Sequence, residues 1–219
     1  MGAVNLANPE TATGTALPPD EYLARIEQRI GVALEFPNFY PDEEGIATAR
    51  GIVSFRPLQA IYQAWRLRQL SARSVIEIGA GLGRTAFYAR RFGIERYTIV
   101  DIPLSNVAQA HFLGRALGAE AIGLPGEPDR PLRLRGPAFV EATNERFDVV
   151  LNVDSLSEMD AGVAARYVRF AETHADAMLS INREWSGAPR AAALLDPAST
   201  SRHPYWMRDG YVEELARFA

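Results

Sequence analysis

From Ser74 onward the chain alternates short, unbroken apolar runs with segments of helical periodicity. The apolar runs over 75–78, 97–100, 121–124, 147–153 and 177–181 read as strands, the third of them weak. Between them helices are expected over 84–92, ended by Gly93, over 106–117, ended by Gly118, and over 161–174. Strands that are apolar at consecutive positions are covered on both faces, and their alternation with helices is the pattern of a parallel sheet. The fold class expected is therefore α/β, with a doubly wound, mostly parallel sheet. After the fifth run there is little room for a closing antiparallel pair, and 211–218 fits either one strand of such a pair or a helix.

Upstream the pattern changes. Leu58, Ile61, Tyr62 and Trp65 recur at i, i+3, i+4 and i+7, which predicts a helix over 55–70 with Ser54 as its cap and Pro57 in its first turn. A shorter helix over 21–30 carries Tyr22, Leu23, Ile26 and Ile30 on one side, with Asp20 placed to cap it. Pro37, Pro41, Gly45 and Gly51 make 36–51 a loop. Residues 1–19 have almost nothing to bury and are expected to be a disordered arm. The organisation expected is an arm over 1–19, a helical extension or lid over 20–70, and one domain over 71–219.

Chemistry concentrates where the first of these strands meets its helix. Residues 77–83 read Glu-Ile-Gly-Ala-Gly-Leu-Gly. Glycines there allow a tight turn and let a ligand approach the main chain, at the end of the sheet where such folds bind ligands. A dinucleotide loop, G-x-G-x-x-G, would need its third glycine at position 84, which is Arg84; the third glycine falls at Gly83 instead. Asp101 ends the second strand 18 residues after Gly83, where a carboxylate can accept ribose hydroxyls. The plainer readings are a bare strand–helix turn for the glycines and a helix cap or turn former for Asp101.

The Glu-x-Gly-x-Gly-x-Gly arrangement resembles motif I of the class I S-adenosylmethionine-dependent methyltransferases. A narrower resemblance runs through 75–86, 99–103, 147–159, 180–184 and 208–215, where Asp-Ser-Leu-Ser-Glu-Met after the fourth strand is the most distinctive stretch. In this order the segments are similar to the sugar O-methyltransferases found among bacterial polysaccharide genes. The resemblance implies a Rossmann-like fold, S-adenosylmethionine as cofactor with S-adenosylhomocysteine as product, and a hydroxyl of a sugar or polysaccharide precursor as acceptor. Cofactor contacts are then expected at Glu77, Gly79, Ala80, Gly81, Gly83, Asp101, Ile102 and Asn152. Glu77 could instead be a structural acceptor for the loop amides. A methyltransferase for a small non-sugar metabolite, or a non-catalytic module binding the cofactor or a glycan, are the alternatives. The adenine contact is unassigned, with Glu127 and Asp129 as candidates.

Methyl transfer to a hydroxyl needs in-line positioning and a proton acceptor. Asp154 and Glu158, after the fourth strand, are candidate catalytic groups, set against roles as a helix cap and a capping-box acid. His203 is the histidine expected to reach the pocket, whereas His111 and His174 read as structural. Ser155, Asn182, Arg183, Tyr205 and Trp206 are expected at the substrate, within a segment over 183–211 rich in aromatics and arginine that would suit an acidic glycan or nucleotide sugar. Arg56 and Tyr62 could reach the cofactor's methionine carboxylate.

Composition narrows this further. The chain has no cysteine and no lysine; all 23 basic side chains are arginine, against 27 acidic ones, for a net charge of −4. Thiolate, Schiff-base and P-loop chemistries are thereby excluded. Mild acidity argues against a nucleic-acid partner, and no apolar run reaches the ~18 residues of a membrane span. Without a secretory signal the default is a bacterial cytoplasmic protein. The histidines, separated by 63 and 29 residues, form no local metal pair, so no metal is expected. A homo-oligomer is compatible with the sequence.

Overall fold

The computed structural model describes residues 17–40, 43–184 and 193–218. Most of the arm expected over 1–19, and Trp185 and Arg190, lie outside the described residues. In chain order the elements are α1 (Pro19–Ile30), β1 (Ile46–Thr48), β2 (Gly51–Val53), α2 (Phe55–Gln69), β3 (Ser74–Ile78), α3 (Arg84–Arg91), β4 (Arg96–Val100), α4 (Pro103–Leu117) and β5 (Ile122–Gly123). There follow β6 (Leu132–Arg135), α5 (Phe139–Ala142), β7 (Phe147–Val153), α6 (Ala161–His174), β8 (Ala175–Arg183), β9 (Thr200–Pro204) and β10 (Tyr211–Arg217).

Eight strands form the main sheet in the order β5-β6-β4-β3-β7-β8-β10-β9. The first six are parallel; β10 runs antiparallel to β8, and β9 antiparallel to β10. Alternate residues of the fully buried β3 face opposite layers. Val75 joins the core formed with α1 to α4, while Ile76 and Ile78 join the core under α6. The extension over 20–70 thus shares its core with the sheet: Leu23, Ile30, Ala60, Ile61, Ala64 and Leu67 belong to the first of these clusters. The chain leaves β3 for β4 on one side and returns to β7 on the other, so a crevice opens at the carboxyl ends of these three strands. No helix among the described residues is long and apolar enough to cross a membrane.

Several local expectations are corrected. The closing antiparallel pair is complete, with Tyr211 opposite Arg183 and Ala216 opposite Met178. A sixth parallel strand, β6, lies between the third and fourth expected strands, where none was expected. Its Leu132 and Leu134 are buried, and the intervening Arg133 forks onto Glu145 (2.9 and 2.7 Å) and Thr98. Paired charges thereby disguise a strand. Asp20 does not cap α1, whose N-cap is Pro18; its carboxylate takes the Ala49 N–H and Arg50. Arg50 also forks onto Glu27, pinning the β1–β2 hairpin, within the stretch expected to be loop, against α1. Ser54 stands at the N-cap of α2 without a side-chain capping bond, its hydroxyl donating to Glu43 instead.

Candidate functional site

The three loop glycines all adopt the left-handed region, with φ of +72° at Gly79, +55° at Gly81 and +82° at Gly83. A side chain is excluded at two of them by different neighbours. A Cβ on Gly79 would lie 2.3 Å from Ser155 Oγ, and one on Gly83 would lie 2.9 Å from Leu113 of α4. A Cβ on Gly81 would meet nothing within 4 Å, so that side of the loop is open, while the Gly81 carbonyl accepts from Gln109 Nε2 (3.0 Å). Behind the loop, Ser155 Oγ and Asn152 Nδ2 both donate to the Ile78 carbonyl (2.8 and 2.9 Å). Asn182 donates in turn to Asn152 Oδ1 (2.8 Å) and Ser180 Oγ (2.9 Å). Asn152 and Asn182, expected at cofactor and substrate, are therefore buried supports for Ser155 and the loop, off the cavity wall.

Asp101 fixes the loop from the neighbouring strand. Its Oδ2 accepts from the Ala80 N–H (3.0 Å) and Gln109 Nε2 (2.8 Å), and its Oδ1 accepts from the Ile102 N–H (2.8 Å). Asp101, not Glu77, is thus the acceptor for a loop amide. Glu77 accepts instead from the buried Tyr97 hydroxyl at 2.8 Å. Burial pushes the Glu77 carboxyl up to about 7, against the downward pull of that hydrogen bond.

The crevice holds a cavity of about 580 Å³, within the ~300–1,000 Å³ usual for small-molecule sites. Its wall includes Glu77, Gly79, Ala80, Gly81, Asp101 and Ile102 of the loop and its neighbouring strand, together with Asp154, Ser155, Glu158, Arg56, Arg208 and Tyr211. Asp154 also has positive φ (+67°), uncommon outside glycine, and its N–H donates to the Ile181 carbonyl. This turns the carboxylate into the cavity, where Oδ2 receives Arg56 Nη1 at 3.0 Å and Arg208 Nη1 at 2.7 Å. Asp160, not Asp154, caps α6. Glu158 is exposed, and its carboxylate has no hydrogen bond among the described residues.

Other expected groups lie elsewhere. His203 stands on the edge strand β9 with Nε2 3.6 Å from Glu213 and does not line the cavity it was expected to reach. Tyr205 is buried and packs on Tyr62; Trp206, 64% exposed, meets Tyr62 edge-on and does not line the cavity. Tyr62 itself donates to the buried Glu213 (2.6 Å), beside Arg66 (2.8 Å), and does not approach a ligand site. Arg183 ends β8 opposite Tyr211 and is not on the cavity wall. Glu127 closes its own turn on the Leu124 N–H, and Asp129 pairs with Arg133 and Arg135. His111 rests near Tyr40, and His174 stacks on Phe170 at the end of α6.

Lining residues that sequence reasoning missed include Gln59 and Gln63 of α2 and Thr85 of α3, the last donating to Gln63 Oε1 at 2.5 Å. The two glutamines are 3% and 5% exposed. Amides at i and i+4, interleaved with the apolar stripe of α2, are a signal for a helix facing a polar cavity.

No family model and no curated protein matches the chain in sequence. Solved structures do match in fold. The chain is similar to the mitomycin 7-O-methyltransferase MmcR, with a TM-score of 0.54 at 18% identity over 73% of this chain and 54% of that one. An O-methyltransferase family protein from Burkholderia thailandensis gives 0.55 at 14% identity, over 74% and 55%. The methyltransferase domain of bacterial CtHen1-C gives 0.57 at 10% identity, over 76% of this chain and all of that one. The chain thus spans about half the length of the first two and the whole of the third. The fold is that of the class I methyltransferases.

Proposed function

We propose that this protein is an S-adenosylmethionine-dependent O-methyltransferase acting on a hydroxyl of a sugar or polysaccharide precursor. The observation that carries the reading is one cavity lined both by the glycine loop with Asp101 and by two further carboxylates, Asp154 and Glu158. The residues fit the cofactor. Gly81 leaves its backbone open to close approach, and Asp101 Oδ1, holding only the Ile102 N–H, retains a lone pair for a ribose hydroxyl. Ile102, 58% exposed at the rim, supplies apolar surface for a base, and Glu77 offers a buried carboxylate for the amino group of the methionine end.

When bound, the cofactor supplies a methyl group on a cationic sulfur, so the protein needs chiefly to align an acceptor oxygen and take its proton. Glu158 is the carboxylate free to take that proton, since Asp154 Oδ2 is engaged by two guanidiniums and Asp154 is also hydrogen-bonded to Tyr211. Ser155, Asn152 and Asn182 hold the loop and the Asp154 turn in place. A hydroxyl-rich acceptor is supported by the charged, hydrogen-bonding character of this wall. The mitomycin enzyme's name keeps a small non-sugar acceptor as the second reading.

The test is thermal. S-adenosylhomocysteine at ~100 times its Kd should stabilise the fold by ~2.7 kcal/mol, and Asp101→Ala should remove the shift. Glu158→Gln should keep the shift and lower turnover on an accepted sugar by ~10²–10⁴-fold. A melting shift with NAD and none with either form of the cofactor would overturn the reading.

A further inference from the structure

We infer that Arg56 and Arg208 form an anion-binding fork that selects an acceptor carrying a carboxylate or phosphate group; the inference rests on the methyltransferase reading for its acceptor. The two guanidiniums come from distant parts of the chain, the first turn of α2 and the turn before β10, and converge on one atom, Asp154 Oδ2. Two cations share one anion there, so the trio carries a net positive charge. Glu158 lines the same wall without bonding to either arginine.

The two arginines are prepared differently. Arg208 is held against aromatic rings: its guanidinium lies 3.6 Å from the centroid of the Tyr211 ring and 5.9 Å from that of Phe55, and its Nη2 donates to the Tyr211 hydroxyl. A stacked, planar fork is preorganised for bidentate recognition of carboxylate or phosphate. Arg56 is 60% exposed and uses one N–H on Asp154; its other donors have no partner among the described residues. An incoming anion would meet those donors and the outer edge of Arg208, with its neighbouring hydroxyl delivered toward Glu158. The chain has no lysine, so this recognition falls to arginine.

The test uses the full chain saturated with S-adenosylhomocysteine and titrated calorimetrically with three probes, D-glucuronate, α-D-glucose 1-phosphate and D-glucose. At least one acidic probe should bind ten-fold or more tightly than glucose, and which of the two wins identifies carboxylate or phosphate as the source. Arg56→Gln and Arg208→Gln should each remove most of that preference while changing the Kd for S-adenosylhomocysteine less than two-fold. Equal binding of all three probes, or binding of none, would overturn the fork while leaving the cofactor reading intact. A ten-fold loss of S-adenosylhomocysteine affinity in both variants would also overturn it, reassigning the arginines to the cofactor's own carboxylate. Acid-probe binding that survives in a protein unable to bind S-adenosylhomocysteine would keep the fork and remove the methyltransferase reading.

Discussion

Replacing Glu77 with Gln separates what the site requires from what the fold tolerates. The side chain is 2% exposed, and burial is the main reason its carboxyl rises from 4.5 to about 7; Tyr97 pulls it down, Asp101 pushes it up and Thr85 pulls it down again. The folded state therefore holds this proton more tightly than the unfolded chain, so ionising Glu77 costs stability. That cost is absent below about pH 4.5, grows as pH rises, and is complete above about pH 7. At ~1.4 kcal/mol for each tenfold change in proton affinity, it reaches about 3 kcal/mol at high pH. Gln keeps an oxygen for the Tyr97 hydroxyl and carries no charge. Urea unfolding of both proteins at pH 5 and pH 8 should show the difference moving in the variant's favour by about 2–3 kcal/mol between the two. Differences in packing or hydrogen bonding that do not titrate cancel in this comparison. Affinity for S-adenosylhomocysteine at pH 8 should fall ten-fold or more. Parallel stability curves would show that the carboxyl is not desolvated, and unchanged affinity would show that it serves the fold alone.

The loop glycines should separate by substitution. Gly79→Ala drives a methyl into Ser155 Oγ and should cost more than ~2 kcal/mol by denaturant unfolding, whereas Gly81→Ala, at φ +55° with open space beside it, should cost only ~1–2 kcal/mol. The Gly81 variant should nevertheless lose the S-adenosylhomocysteine melting shift, and a full shift would place the ligand elsewhere. Glu213→Ala strands Tyr62 and Arg66 under β10 and should cost ~3 kcal/mol, the low end for a broken buried pair because Arg66 keeps 19% exposure. A loss below ~1 kcal/mol would mean that Arg66 is fully rehydrated.

Much of the sheet was legible because its strands are apolar at consecutive positions and two of its helices, α3 and α4, are closed by Gly93 and Gly118. The expected helices over 55–70, 106–117 and 161–174 sit close to Phe55–Gln69, Pro103–Leu117 and Ala161–His174. Where a strand was missed, as in β6, or left open between strand and helix, as in β10, the cause is charge at positions that are buried in the fold. In β6 the arginines alternate with leucines and find partners on β4 and beyond. In β10 two consecutive glutamates break the apolar pattern, yet both are buried. Glu213 is received by Tyr62 and Arg66, and Glu214 by Arg202. Hydropathy cannot distinguish a solvated charge from a paired one, because the partners lie far away in sequence.

The two ends of the site differ in the same way. The cofactor end is specified by local backbone conformation: three positive-φ glycines within five residues, then an aspartate one strand away whose carboxylate holds the loop. Such a demand leaves its mark on the residues that meet it, so it can be read from one short stretch. The acceptor wall imposes no local demand. Arg56 and Asp154 are 98 residues apart, and Asp154 and Arg208 are 54. They meet because α2 packs on α3 and reaches β10 through Tyr62 and Arg66, and because β10 pairs with β8 in one particular register, Tyr211 opposite Arg183. A slip of one residue in that pairing would exchange the faces of Tyr211 and Val212 and carry Arg208 off Asp154. Glu213 and Glu214 are held by Tyr62, Arg66 and Arg202, so the same buried charges that left β10 open between strand and helix in the sequence anchor the strand that follows Arg208.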